Sequence, residues 1–215
     1  MDLIEAMRHM PGCRDYEDRD VDDAVLYRVF DNARFAPSGG NRQGWRVVVV
    51  RDPAVRRRLR ELYQGPWGRY VAEHYGDLNS LTAVRRHWLD AGTQFANELD
   101  LVPVHLLVWV DVSVIAVTDI NAGRPSVVAG GSIFPFIQNV QLAARAEGLG
   151  TRITTLLSYA EDEVRALVNA PDGLALAALV VMGWPLRLAT KLNRRPVETF
   201  AVLDRFGGEP LTSGG

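Results

Sequence analysis

Ala33-Arg-Phe-Ala-Pro-Ser-Gly-Gly-Asn-Arg-Gln-Gly-Trp-Arg-Val-Val-Val-Val50 carries three signals in succession: a helix end, a polar glycine-containing loop and an apolar run. Pro37 stops the helix, because its ring removes a backbone donor. Ser38-Gly39-Gly40-Asn41 lets the backbone come close to another group. Trp45 to Val50 is apolar enough to be a covered strand. A loop so placed is where a ligand is commonly held. The same letters also suit an ordinary helix-to-strand connection whose polar residues face water.

Upstream, Leu3, Ile4 and Met7 recur at helical spacing and predict a short helix over 2–9, ended by His9 to Gly12. Cys13 to Asp20 is charged and irregular. Asp22 reads as the cap of a second helix whose inward stripe is Val25, Val29 and Ala33, with Leu26 and Phe30 beside them. Downstream, Asp52-Pro53 begins a helix running to about Tyr63, with Arg56, Arg57, Arg58 and Arg60 on a solvated face. Gln64 to Ser80 holds Gly65, Pro66, Gly68 and Gly76 and reads as a loop. Its aromatics, Trp67 and Tyr70 foremost, either form a lid over a flat substrate or pack the loop onto the body.

A helix is expected from about Leu81 to Leu99, and the apolar run Val102 to Val110 suits a central strand. Asp111 to Val128 has no consistent period. Ser132 to Glu147 is a helix apolar nearly all round, which places it in a core or at a subunit interface. Thr151 to Leu157 reads as a strand, Ser158 to Asn169 as a helix and Leu174 to Met182 as a core strand. The tail from about Arg187 to Gly215 is basic at Lys191-Leu-Asn-Arg-Arg195 and has few apolar positions, so it is expected to lie across the body or a partner. Helices and strands interleave without a repeat or linker. Residues 1–215 therefore read as one α+β domain.

The 215 residues suffice for a sizeable core, with 47% apolar and 23% charged residues and a formal net charge of -2. That charge gives no basic footprint for nucleic acid and no attraction to a membrane surface. Cys13 is the one cysteine, so an internal disulfide is excluded and a cytoplasmic setting is expected. The first residues lack a leader pattern, and no apolar segment approaches a membrane span.

His9, His74, His87 and His105 are scattered without metal-ligand spacing, so no metal site is expected. No Gly-x-Ser-x-Gly nucleophile turn is present, and neither is a glycine-rich dinucleotide or phosphate loop. A bound phosphate would have to be held by separate arginines, for which Arg14 and the pair Arg194-Arg195 are candidates.

Four ordered segments resemble the FMN-dependent nitroreductase family. They are Arg14 to Val21; Ala36-Pro-Ser-Gly-Gly-Asn-Arg-Gln-Gly-Trp45; Gln138-Asn-Val-Gln-Leu-Ala-Ala144 with Glu147-Gly-Leu-Gly-Thr-Arg-Ile-Thr-Thr155; and Asn193-Arg-Arg-Pro-Val-Glu198. The resemblance implies a nitroreductase-like α+β fold, with a central mixed, mainly antiparallel sheet flanked by helices, in an intertwined homodimer with FMN at the interface. Arg14 and Arg194 would hold the flavin phosphate, helped by Arg195. Pro37, Ser38, Gly39 and Asn41 of the other subunit would line the isoalloxazine or ribityl region, with Gln43 supporting their loop. Ile153, Thr154 and Thr155 would meet the opposite ring face and edge. In one respect the chain departs from the family, which places a basic residue and then a serine before the position matched by Arg14. Met10 and Gly12 stand there, with Pro11 between them.

The implied activity is ping-pong hydride transfer from NADH or NADPH through FMN to a planar electron-poor acceptor such as a nitroaromatic or quinone. The flavin carries the chemistry, so no catalytic acid or base of the protein's own is expected. Two alternatives stand beside it: a family member specialised for one small metabolite, by flavin fragmentation, dehalogenation or ring oxidation, and a non-catalytic flavin-binding protein.

Overall fold

The apolar runs become a sheet at the centre of the molecule. The computed structural model describes residues 2–187 and 192–214. Its strands β1 (Trp45–Val50), β2 (Val104–Asp111), β3 (Gly150–Thr154) and β4 (Leu174–Gly183) lie in the order β1-β2-β4-β3. Each neighbouring pair is antiparallel. The mixed sheet expected from the sequence is thus wholly antiparallel among the described residues, where no fifth strand is available to run parallel. β2 is buried at every position except Asp111, as a strand covered on both faces must be. β1 is an edge strand, exposed at Arg46 and Val49 rather than covered as expected. Between Val108 and Trp109 the β2–β4 register slips by one residue, leaving Ala177 unpaired. That bulge turns Leu176 to the opposite face from Ala178 and Val180.

Helices cover both faces. Six are present among the described residues: α1 (Leu3–Arg8), α2 (Asp23–Ala33), α3 (Pro53–Tyr75), α4 (Ala83–Asn97), α5 (Ile133–Ala146) and α6 (Glu161–Val168). On one face Val25, Leu26, Val29 and Ala33 of α2 join Phe136, Ile137 and Val140 of α5 against Leu106, Val108 and Val180. The other face carries Leu59 and Tyr63 of α3, Phe95 and Ala96 of α4, and Val164 of α6 against Leu107, Leu179 and Val181. Asp22 occupies the cap position of α2 but makes no side-chain cap bond.

The expected loop Gln64 to Ser80 is corrected by the structure: α3 continues through Pro66 to Tyr75. Proline forfeits one backbone bond, and helix propensity is a weak prior that packing overrides. The packing here comes from α4. Gln64 Nε2 donates to the Ala96 carbonyl oxygen at 2.7 Å, and Trp67 Nε1 donates to Thr93 Oγ1 at 3.2 Å. The Trp67 ring lies over Gly92 so closely that a Cβ there would collide with it.

Thr151 to Leu157 divides, with a strand to Thr154 and a short 3-10 turn from Leu156 to Ala160. Beyond the end of β2, residues 112–128 have no regular element. Among them Asp119 accepts from Ser126 Oγ at 2.6 Å and from Val127 N at 3.0 Å, and these bonds, the hydroxyl's first, hold its carboxyl down to about 2. Leu3, Ile4 and Met7 do not face the core. They are exposed at 65%, 57% and 56%, and only Ala6 of α1 is buried. The tail from 192 onward is held by hydrogen bonds to itself, such as Leu211 N to the Ala201 carbonyl, with none to the body among the described residues. Lys191, part of its basic run, lies outside the described residues.

Candidate functional site

The polar loop after α2 is built by backbone that few residues tolerate. Gly40, Asn41 and Gln43 all have positive φ, at 61°, 54° and 50°. Asparagine visits this region more readily than most residues, and such outliers collect at binding sites. Local hydrogen bonds hold the shape. Gln43 N donates to Ser38 Oγ at 3.1 Å, Gln43 Nε2 to Asn41 Oδ1 at 3.1 Å, and Gly39 N to Ser132 Oγ beside the start of α5 at 3.1 Å. Gly44 is pinned under Val114, whose Cγ2 would lie 2.7 Å from a Cβ there. Pro37, Gly39, Asn41 and Gln43 remain exposed and Ser38 half-buried. Ser38, Gly39 and Gln43 line a cavity of about 250 Å³ with Trp45, Val114, Ile115 and Ser132.

A second cavity, of about 490 Å³, opens at the other end of the sheet. Arg14, Tyr16, His87, Gln94, Phe95 and Arg152 line it, and Asp15, Asp90 and Glu98 share its wall. Arg14 donates to His87 Nε2 at 3.4 Å and lies 5.2 Å from the centre of the Trp88 ring. Alternation along β3 places Arg152 and Thr154 on one face. Thr154 Oγ1 is 3.0 Å from the Tyr63 hydroxyl, and the Arg152 guanidinium stands 3.9 Å from the centre of the Phe95 ring. Burial pulls the Arg152 guanidinium below its ordinary value and pushes the Tyr16 and Tyr63 phenols up. Ile153 and Thr155 are exposed on the same segment and do not line this cavity.

The structure therefore brings Arg14 together with Arg152, whereas Ile153, Thr154 and Thr155 do not line their cavity and Pro37 to Gln43 lie apart from it. The row of paired residues through Arg152 is Val181, His105 and Val50; the row through Trp45 is Val110 and Ala175. With β1 and β3 on opposite edges and five residues separating the rows, the two places are on the order of 20 Å apart at ordinary strand spacings. One planar ring cannot touch both within a single copy. Arg194 and Arg195 sit exposed on the tail and do not line the Arg14 cavity.

Trp67 is a helix residue between α3 and α4, where it lines a groove with Val71, Leu78 and Leu89. Tyr70 stacks between Trp67 and His74, with ring centres 5.7 Å and 4.3 Å away. The groove shares Asp90, Gln94 and Glu98 with the Arg14 cavity, so the two aromatics adjoin that cavity without lining it. Reading the sequence missed Arg152 as a site residue. Its signal was a cation at the same strand parity as Thr154 in a short strand.

Exposed apolar side chains accompany the site. Tyr27 in the middle of α2 and Phe35 just beyond its end are both 73% exposed, and Phe134 of α5 is also open. No helix among the described residues is long and apolar enough to cross a membrane.

Comparison with known proteins gives a consistent match. Residues 8–184 match the model of the Nitroreductase family. The chain is 29% identical over 205 residues to an NADH dehydrogenase of Thermus thermophilus, covering 92% of this chain and 94% of that one. It is 27% identical over 195 residues to a 5,6-dimethylbenzimidazole synthase of Rhodobacter capsulatus, covering 85% and 83%. Its fold is similar to that of oxidized iodotyrosine deiodinase bound to FMN and 3-iodo-L-tyrosine, with a TM-score of 0.70 at 22% identity over 91% of this chain and 96% of that one.

Proposed function

The chain belongs to the nitroreductase family, and we propose that it is an FMN-dependent oxidoreductase that draws a hydride from NADH or NADPH and reduces a planar, electron-poor small molecule such as a nitroaromatic or quinone. The observation that carries this is the division of the site residues between two distant cavities. Each is half of a site, and two copies of the chain facing each other complete both. The exposed Leu3, Ile4, Met7, Tyr27, Phe35 and Phe134 supply apolar surface for that pairing. The tail, with Phe200 70% exposed and no hydrogen bond to its own body among the described residues, has surface to lay on the partner.

The residues fit a flavin. Arg14 and Arg152 form an arginine-lined pocket for an anion, and neither has a carboxylate partner among the described residues. Thr154 and Thr155 offer hydroxyls two and three residues beyond Arg152 on the same segment. Bound FMN would supply the two-electron chemistry, accepting a hydride and passing electrons to the second substrate. The protein's part is to bind and orient. Arg14, with Arg194 and Arg195 brought in by the tail, counters the phosphate; Ile153, Thr154 and Thr155 set one edge of the ring; Pro37, Ser38, Gly39 and Asn41 of the second copy close the other side, held in shape by Gln43. Trp67 and Tyr70 flank the approach from α3.

The NADH dehydrogenase and the 5,6-dimethylbenzimidazole synthase match this chain at nearly equal identity. A dedicated metabolite as acceptor is therefore the second reading. The test is an anaerobic absorbance spectrum of the purified protein with FMN, before and after NADPH or NADH. Bound yellow flavin that bleaches with reductant and recovers with a quinone supports the proposal. A protein that takes up no FMN contradicts it. Failure with quinones and nitroaromatics, alongside rapid turnover of one metabolite, favours the second reading.

A further inference from the structure

Arg152 carries a charge that nothing among the described residues neutralises. It is half-buried, with its guanidinium over Phe95, and the described residues offer it no ion pair and no side-chain hydrogen bond. A second cation, Arg14, shares its cavity. Asp15, Asp90 and Glu98 also line that cavity, but none pairs with either arginine, and Glu98 is taken by Gln94 Nε2 at 3.1 Å. Arg152, half-buried without a counter-ion among the described residues and sharing its cavity with the exposed Arg14, is favoured by an anion arriving between them.

We propose that Arg152, supplied by β3, acts with Arg14 as a cofactor-binding residue for the negative charge of the bound flavin. The proposal rests on the flavin reading above. That charge has two sources, the 5′-phosphate of FMN and the ring once it is reduced, and the experiment separates them.

Dissociation constants for FMN and for riboflavin, and the midpoint potential of the bound flavin, are measured for the full chain as wild type, Arg152→Met and Arg152→Lys. Methionine keeps an apolar stem against Phe95 and removes the charge; lysine keeps the charge. If the phosphate is the partner, Arg152→Met weakens FMN by tenfold or more and leaves riboflavin within about threefold. If the reduced ring is the partner, both affinities hold and the potential falls by about 30 mV, the equivalent of tenfold for a two-electron couple. Arg152→Lys restores most of either effect. The proposal is overturned if Arg152→Met changes neither quantity, or weakens FMN and riboflavin equally with no change in potential. Should the methionine variant fail to fold, the wild type alone decides: binding FMN no better than riboflavin, at the potential of free flavin, contradicts the proposal. A wild type that binds no flavin removes the functional reading as well, whereas a wild type and a methionine variant that bind flavin alike remove this inference only.

Discussion

The hydroxyls of Tyr63 and Thr154 lie 3.0 Å apart and join the middle of α3 to the last residue of β3. Tyr63 is buried and meets Phe95 edge-on at 6.0 Å, so its ring is fixed by packing and its hydroxyl by Thr154. Tyr63→Phe keeps the ring and removes the bond. Thr154 retains only the Leu156 N–H, at 3.4 Å. The expected loss is about 1 kcal/mol of unfolding free energy in urea, with FMN affinity lowered a few-fold because the segment Ile153 to Thr155 is held less firmly. An unchanged unfolding midpoint would show that the hydroxyls do not join these elements.

Two glycines on the α3–α4 pair should respond in opposite directions. Gly92→Ala drives a methyl into the Trp67 ring and should destabilise by about 1–3 kcal/mol, as overpacking does. Gly65 has open space around its missing Cβ and lies within the helix, so Gly65→Ala should stabilise by about 0.5–1 kcal/mol. Chemical denaturation of both variants checks the pair. A neutral Gly65→Ala would mean that the stretch after Tyr63 is not helical in solution.

These glycines also show what the sequence concealed. Gly65, Pro66 and Gly68 read as breakers by local preference, while the contacts that overrule them, Trp67 on Gly92 and Gln64 on Ala96, come from a helix roughly thirty residues on. The strands were legible because burial on both faces leaves a continuous apolar run, as in Val104 to Val110. Edge exposure was not, since nothing in Trp45 to Val50 tells a central strand from an outer one. The loop Pro37 to Gln43 could be singled out by its glycines and polar residues. Its distance from Arg14 could not, because strand order is a tertiary property. Arg152 escaped for the same reason: Phe95 beneath it and Arg14 and Tyr16 in its cavity come from two other segments.

His105 should make stability depend on pH. Its ring is fully buried on β2, Nε2 donates to the Leu99 carbonyl oxygen at 2.8 Å, and Nδ1 has no partner. Burial foremost holds its pKa down to about 4, with Arg56 acting in the same direction and the Leu99 bond and Asp100 against it. The folded value lies below the unfolded value of about 6.5, so protons favour the unfolded chain. The stability tied to this group is fully present above pH 6.5 and is lost as pH falls from 6.5 toward 4, by about 3 kcal/mol in all. His105→Gln keeps a donor for Leu99 and should flatten the slope of unfolding free energy across that interval. An unaltered slope would assign the acid sensitivity to other groups.

Asn41 tests the loop. Its φ of 54° is unfavourable for alanine and open to glycine, so the two substitutions separate side chain from backbone. Asn41→Gly should lower FMN affinity through loss of the side chain alone. Asn41→Ala should lower it further, with about 1 kcal/mol of added backbone strain. Equal and wild-type affinities in both variants would leave the loop without a role in binding.

Mixing two defective variants examines the shared site most directly. Arg14→Ala damages the cation cavity and Asn41→Gly damages the loop, at opposite ends of one copy. In a heterodimer purified with two different tags, one site would carry both substitutions and the other neither. FMN titration of that heterodimer should then recover wild-type affinity at half the wild-type stoichiometry, although each parent homodimer binds weakly. A heterodimer as weak as its parents, or a chain that stays monomeric while binding FMN, would contradict a site assembled from two copies.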